Sequence, residues 1–250
     1  MHTWHWHTWQ DLPFLKCSLL DSWPHGFLTR HFSPRLPTEL VEVLQPAATA
    51  YRVKQVHGNR VLTTTTVKAS TNTELQEADG LLTENPSEAV WVASADCVPV
   101  LIADTQTRKV AAVHAGWRGT AAKIVPEAIA QFKGAGSQLT DLRVVMGPAI
   151  SGPVYQVSTD VALQLSQSFN PTENLTELMQ QPHSPFLIDS QPDKVRVDVR
   201  LVNKLQLEQL GFTPEQIAIS PECTYQTPDL FFSYRRDNQK KVQWSGIVSG

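Results

Sequence analysis

Residues 89–103 read Ala89-Val90-Trp91-Val92-Ala93-Ser94-Ala95-Asp96-Cys97-Val98-Pro99-Val100-Leu101-Ile102-Ala103. Two apolar runs of strand length flank a short polar break that carries a cysteine. Valine and isoleucine dominate them, so the pattern predicts buried strands on either side of Cys97. Residues 110–113 form another short apolar run ending at His114, and residues 142–146 form a further one stopped by Gly147-Pro148. Upstream, residues 51–56 are a short β-type run. Residues 61–67, with four consecutive threonines, suit an exposed strand. In the first ten residues Trp4 and Trp6 alternate with His5 and His7, which predicts an edge strand with indoles on one face. His2, His5 and His7 are metal-capable, but an exposed strand face or frayed terminus is the plainer expectation. Residues 24–37 carry Pro24, Gly26, Pro34 and Pro37 and are expected as loop.

Helical spacing links Ala121, Ile124, Val125, Ala128, Ile129 and Phe132. Thr120 is the expected N-cap, Gly134 and Gly136 end the helix, and Pro126 must kink it or mark a late start. Ser158 or Thr159 caps a helix running to about Phe169. Residues 194–210 are expected as a second long helix ended by Gly211, and residues 170–193 as a long surface loop. No repeat, linker or break in composition interrupts the chain. One domain over residues 1–250 is expected, of α/β (α+β) class with a mixed sheet.

Hydrophobic residues make up 41% and charged residues 18% of the 250 positions, the balance of a globular chain. The net charge is −3 and no Lys/Arg-rich run occurs, so the footprint of a nucleic-acid binder is missing. A few local arginines can still hold a small anion. No apolar run reaches the ~20 residues of a membrane span. The first residues lack the pattern of a signal peptide, and the expected location is the cytoplasm. Cys17, Cys97 and Cys223 are too few and too odd in number for a disulfide framework, which leaves a thiol free for metal or nucleophilic chemistry.

Three motifs place such chemistry at strand ends: Lys54-Gln55-Val56-His57-Gly58, Ser94-Ala95-Asp96-Cys97-Val98-Pro99-Val100 and Ala112-Val113-His114-Ala115-Gly116-Trp117-Arg118-Gly119. Two imidazoles and a thiolate suit Zn²⁺, and three protein ligands leave a fourth position open, as in catalytic zinc sites. The spacings, 40 residues from His57 to Cys97 and 17 from Cys97 to His114, match no zinc finger. A thiolate nucleophile at Cys97 with His57 or His114 as base fits the same residues. So does a buried core thiol beside hydrogen-bonded histidines. After His114 the chain turns from strand to helix, and Arg118 there offers a bidentate fork for phosphate or carboxylate. Asp79, in Ala78-Asp79-Gly80, is a turn former or a ligand to a hydroxyl or ring nitrogen. Arg235 and Arg236 follow an apolar strand-like run. Alternation sends one of them to the site and the other toward Asp237.

Together these stretches resemble the YfiH-type family, long labelled polyphenol oxidase or laccase-domain proteins. The matching segments are His25-Gly26-Phe27 with Thr29-Arg30, Gln55-Val56-His57-Gly58, Ala78-Asp79-Gly80 and Ala95-Asp96-Cys97-Val98-Pro99-Val100-Leu101. They continue with His114-Ala115-Gly116-Trp117-Arg118-Gly119, Gly147-Pro148-Ala149-Ile150, Cys223-Thr224-Tyr225 and residues 231–237. The resemblance implies a single layered α/β sandwich domain with His57, Cys97 and His114 as metal ligands and catalytic groups. It also implies zinc as the metal, with copper as an alternative. Purine nucleoside and phosphate are the implied ligands, with Arg30, Asp79, Arg118, Tyr155, Arg235 and Arg236 expected around them. Relatives of this kind phosphorolyse adenosine, inosine and methylthioadenosine to base and sugar 1-phosphate, and some deaminate adenosine. Phenol oxidation with copper and editing of peptidoglycan precursors are the other activities implied, and Cys97 leaves a Cys-dependent hydrolase as a further alternative. The sequence departs from the family at His31-Phe32-Ser33-Pro34-Arg35, at Ser151-Gly152-Pro153-Val154-Tyr155 and at Gln239-Lys240-Lys241, which bears on substrate preference more than on the metal. A multicopper site needs many paired histidines. This chain has eight histidines, three of them in its first seven residues. One Cu²⁺ can bind, because Cu²⁺ outcompetes Zn²⁺ at most nitrogen sites.

Overall fold

The computed structural model of the protein describes residues 2–69, 74–172 and 174–250. In chain order the strands are β1 (Trp4–Trp9), β2 (Leu12–Cys17), β3 (His25–Leu28), β4 (Thr49–Tyr51), β5 (Val61–Thr63), β6 (Gly80–Leu82), β7 (Glu88–Ser94) and β8 (Val98–Asp104). They continue as β9 (Val110–Ala115), β10 (Leu142–Met146), β11 (Gln156–Ser158), β12 (Phe186–Ile188), β13 (Lys194–Val197), β14 (Ile217–Ile219) and β15 (Gln243–Val248). The helices are α1 (Pro37–Leu44), α2 (Thr64–Lys68), α3 (Trp117–Ala121), α4 (Ile124–Gly134), α5 (Thr159–Gln167), α6 (Leu175–Gln180), α7 (Val199–Gln209) and α8 (Tyr234–Asp237).

The order β1-β2-β3-β15-β7-β4 makes one large sheet and β14-β10-β8-β9-β6-β5 a second, beside a small β11-β13-β12 sheet. Both large sheets are mixed. β4 runs parallel to β7, β10 to β14 and β5 to β6, and their other pairs are antiparallel. The layering is set by β8, whose seven residues are all buried. Leu101 and Ala103 point at the first sheet and pack with Phe27, Val90, Val92 and Ile247. Val100 and Ile102 point the other way, onto Ile124, Ala128 and Phe132 of α4 and Val202 and Leu207 of α7. The outer face of the first sheet, through Trp91 and Val248, is covered by Leu40 and Val41 of α1. The result is helix, sheet, sheet, helix. A strand in the middle of such a stack needs apolar side chains on both faces, which is why 98–103 does not alternate. Each large side chain so buried is worth about 1.5–3 kcal/mol.

Several expectations need correction. The threonine run is strand only to Thr63, whose Oγ1 accepts the Thr66 N–H at 3.2 Å and starts α2. A hydroxyl at an N-cap outweighs β-propensity there. Residues 24–37 hold the fully buried β3, and α1 begins at Pro37, where proline's fixed φ suits the first helical position. The helix expected from Thr120 is two helices. Thr120 lies inside α3, buried, and accepts from Asn203 Nδ2 at 3.0 Å. Lys123, at φ +61°, breaks the chain, and Pro126 falls in the first turn of α4, the late start. Residues 194–197 alternate as β13, and α7 begins only after Asp198. The expected 170–193 loop contains α6 and β12, and its residue 173 lies outside the described residues. The run at 51–56 gives only the end of β4. β1 is an edge strand with Trp4 on Phe27 and Trp6 on Phe231, so the indoles do share a face. All three cysteines are free. Among the described residues no helix is long and apolar enough to cross a membrane.

Candidate functional site

The loop after β4 carries His57, the turn between β7 and β8 carries Cys97, and β9 ends with His114 beside its last residue. One ligand atom from each of these residues lies within 4.8 Å of the others. His114 is buried, Cys97 half-buried and His57 exposed, so the cluster opens to one side. The two imidazole rings stand nearly perpendicular, centroids 4.9 Å apart. Gly116 forms the floor. A Cβ there would sit 2.9 Å from Cys97 Sγ and 3.5 Å from His57 Cδ2, so only glycine lets the backbone come this close.

Asp79 stands behind the cluster. Its Oδ1 accepts the His57 N–H and the His114 Nδ1–H, both at 2.9 Å, and its Oδ2 accepts the N–H groups of Val56 at 3.2 Å and Gly58 at 2.7 Å. Three successive amides thus converge on one buried carboxylate. They hold His57 at φ +61°, a conformation unusual for a side-chain-bearing residue. The Nδ1 bond fixes the His114 tautomer and leaves Nε2 for the cluster. Burial would raise the Asp79 carboxyl, but His114 and the amides of Gly58 and His57 hold it below the usual range. With four donors and no exposure, Asp79 holds the turn at residues 56–58 and the His114 ring, in keeping with the turn-forming alternative read from the sequence. Asp96 plays the matching part for Cys97. At φ +88° it accepts Thr224 Oγ1–H and the Arg235 N–H, each at 2.7 Å.

Burial would push the Cys97 thiol up, but the charges and hydrogen bonds of His114 and His57 bring it down to about 6. His114 moves the other way. Burial lowers it, while the Cys97 thiolate and Asp79 raise it to about 9. A thiolate beside two imidazoles can ligate a transition metal or act as a nucleophile. In a tetrahedral site with bond lengths near 2.0–2.3 Å, ligand atoms lie roughly 3.3–3.6 Å apart. The observed set, with its ligand atoms all within 4.8 Å of one another, is close to that spacing.

A cavity of about 550 Å³ takes in the cluster, its lining including His57, Cys97 and His114 together with Val53, Trp244 and Tyr234. Gln55 braces it, exchanging both amide hydrogen bonds with the Ala93 backbone at 2.7 and 2.8 Å. The other expected ligand residues lie around this frame. Burial and the Cys97 charge push the Tyr155 phenol up to about 12, against the opposing charges of Arg235 and Arg118. Arg235 stacks on the Tyr155 ring at 4.8 Å and donates to the Gln156 carbonyl, and Arg118 lies over Trp117. Arg236 pairs with Asp237 and donates to the carbonyls of Thr224, Tyr225 and Phe231, a purely internal set. The two arginines do part company, but from the short helix α8 and not from a strand. Arg30 donates to the Pro228 carbonyl and covers the Phe232 ring. The sequence reading gave no role to Asp96 or Trp244, although Asp96 lies next to Cys97.

The family model described as multi-copper polyphenol oxidoreductase laccase matches residues 38–248. The purine nucleoside phosphorylase slr1573 of Synechocystis sp. is 51% identical over 256 residues, covering 98% of this chain and 97% of that one. The crystal structure of Bacillus licheniformis YfiH superposes with a TM-score of 0.80 at 25% identity, covering 95% and 96% of the two chains. That of YlmD from Geobacillus stearothermophilus gives 0.82 at 24% identity and covers 98% of each, a likeness of fold. The layered mixed-sheet architecture, the match over residues 38–248 and a relative half identical from end to end place this chain in the YfiH-type, laccase-domain family.

Proposed function

We propose that the protein is a zinc-dependent purine nucleoside phosphorylase that splits adenosine, inosine and methylthioadenosine into base and sugar 1-phosphate. The observation that carries this is the convergence of His57, Cys97 and His114 in the lining of a nucleoside-sized cavity. The name of the Synechocystis relative supports the choice of reaction. The donor set of two imidazoles and one thiolate fits Zn²⁺, and Cu²⁺ as a competitor. Zinc bound there would supply a Lewis acid with an open position for an oxygen ligand.

In the reaction a phosphate oxygen bonds to the ribose C1′ as the bond from C1′ to the purine breaks. The bonding electrons leave with the base, which takes a proton. The chain itself supplies position and charge. Asp79 sets His57 and His114, Asp96 sets the turn that carries Cys97, and Gly116 leaves room for the thiolate. Trp244 and Tyr234 offer aromatic walls to the nucleoside. Tyr155 lies within electrostatic reach of Cys97, Arg235 and Arg118, which makes it the polar group we place between the thiolate and the two arginines. Adenosine deamination at the same open position is a companion activity. The lowered thiol favours one second reading, a Cys-dependent hydrolase with a histidine base. A four-copper oxidase has less support. His25 is tied to Trp23 and Cys17, His31 contacts Thr29, and His5 contacts Thr3.

The test is chromatography of adenosine incubated with metal-analysed protein, with and without phosphate, beside Cys97→Ala. Phosphate-dependent adenine, lost in the variant and accompanied by about one zinc per chain, is the expected result. Inosine formed without phosphate would make deamination the main activity. No turnover of adenosine, inosine or methylthioadenosine would overturn the nucleoside assignment.

A further inference from the structure

One wall of the cavity is cationic. The exposed segment 239–242, between α8 and β15, brings Lys240 and Lys241 to the space also lined by His57, Cys97 and His114. Among the described residues no aspartate or glutamate lines that space, although the chain as a whole carries a net −3. Among the described residues neither lysine has a carboxylate partner, and Lys241 only rests over the Phe232 ring at 5.9 Å. Three arginines of the neighbourhood are occupied, while Arg118 and Arg52 rest on the Trp117 and Trp244 rings and stand outside the cavity lining. Arg236 is spent on three carbonyls and Asp237, Arg235 on Gln156 and the Tyr155 ring, and Arg30 on Pro228. Trp244 and Val53 share the same cavity and offer apolar surface to the rest of a ligand. A low-dielectric cleft with charges of one sign concentrates ions of the other. Two ammonium groups on flexible stems, each with three donors, adapt to the tetrahedral oxygens of a phosphate.

We propose that Lys240 and Lys241 form a phosphate-binding wall of this cavity, distinct from the metal ligands. The use made of that anion rests on the phosphorylase reading, whereas the binding does not. The phosphate is either inorganic phosphate or the 5′-phosphate of a nucleotide, two sources of one chemistry.

The experiment is calorimetric titration of the full-length protein, metal content measured, with inorganic phosphate, adenosine 5′-monophosphate and adenosine. Wild type is compared with Lys240→Gln/Lys241→Gln, with Arg118→Gln, and with Lys133→Gln/Lys194→Gln, which removes two charges elsewhere. Thermal melts check that each variant folds. The lysine-wall variant is expected to bind phosphate, the monophosphate or both about tenfold more weakly, with adenosine unchanged. A loss confined to phosphate assigns the wall to the co-substrate, and a loss confined to the monophosphate assigns it to a phosphorylated nucleoside. Unchanged binding of both anions, an equal loss in the Lys133/Lys194 control, or a loss seen only in Arg118→Gln would overturn the proposal. The two ideas fail separately. Lysine-dependent anion binding without phosphorolysis keeps the wall and removes the phosphorylase. Phosphorolysis with an unchanged phosphate KM in the lysine-wall variant does the reverse.

Discussion

Asp79 is the residue on which two of the three clustered side chains, His57 and His114, depend. It fixes the His114 tautomer and holds the His57 backbone in a left-handed conformation through three amides. Asparagine at this position keeps the shape but turns one acceptor into a donor that faces N–H groups. Asp79→Asn is therefore expected to bind zinc about 10–100-fold more weakly. Competition with a chromophoric chelator measures this, and far-ultraviolet circular dichroism should show the fold unchanged. Affinity equal to wild type would show that the three-amide turn holds without the charge. The members of the cluster were legible in the sequence, because two histidines and a cysteine in short glycine-bearing motifs are chemically distinctive, and the fold brings them together. The role of Asp79 was not. A carboxylate in a turn sequence looks the same whether it faces solvent or four buried donors, and only its contacts across 21 to 35 residues decide. The same holds for Asp96, whose partners Thr224 and Arg235 lie more than a hundred residues away.

At the scale of elements, burial on both faces made β7, β8, β9 and β10 readable, since no surface helix or loop sustains such apolar runs. Elements governed by a local polar contact were misread. Residues 194–210 hold enough apolar positions for a continuous helix, yet Asp198 divides them. Its carboxylate caps α7 through the Arg200 N–H at 3.0 Å, accepts the Gly152 N–H at 3.1 Å and pairs with the Arg200 guanidinium at 2.6 Å. Arg200 is buried, and beyond Asp198 it donates only to the Ser220 carbonyl. Removing the carboxylate loses a cap, worth about 1 kcal/mol, and strands a buried charge, worth roughly 3 kcal/mol or more. Asp198→Ala is expected to destabilise the protein by about 3–4 kcal/mol, read as a lower urea midpoint at unchanged slope. Asp198→Asn, which can still cap but carries no charge, should lose about 1 kcal/mol less than that. Equal losses would place the whole effect in the ion pair. β3 escaped notice for a related reason. Prolines bracket it, and its place beside β15 is fixed by a strand more than two hundred residues later.

The whole molecule brings two buried titratable groups into the first sheet, and both weaken it in acid. His25, on β3, donates from Nδ1 to the Trp23 carbonyl and accepts the Cys17 N–H at Nε2. Burial lowers it to about 4, with the Trp23 carbonyl partly opposing. Between its ordinary 6.5 and that value the unfolded chain binds the proton and the folded one does not, so stability falls as the pH drops through this window. Glu88 opens β7. Burial would raise it, but Lys68, Thr64 and Asn85 bring it down to about 2. Its contribution is present above 4.5 and is lost as the pH falls toward 2. At 1.36 kcal/mol per pKa unit, each group governs about 3 kcal/mol across its window. Acid unfolding should therefore show two regimes, a loss of about 2 kcal/mol from His25 by pH 5 and a further loss from Glu88 below it. Cys97 also titrates in this range, since acid protonates its thiolate. Comparing His25→Gln with wild type in urea at pH 7 and pH 5 cancels that common part. The variant should be less stable at pH 7, because the Cys17 and Trp23 backbone groups lose their imidazole, and should show a pH 7-to-5 decline smaller by about 2 kcal/mol. An unchanged decline would move the acid sensitivity from the sheet to the cluster around Cys97, where Cys97→Ala would then abolish it.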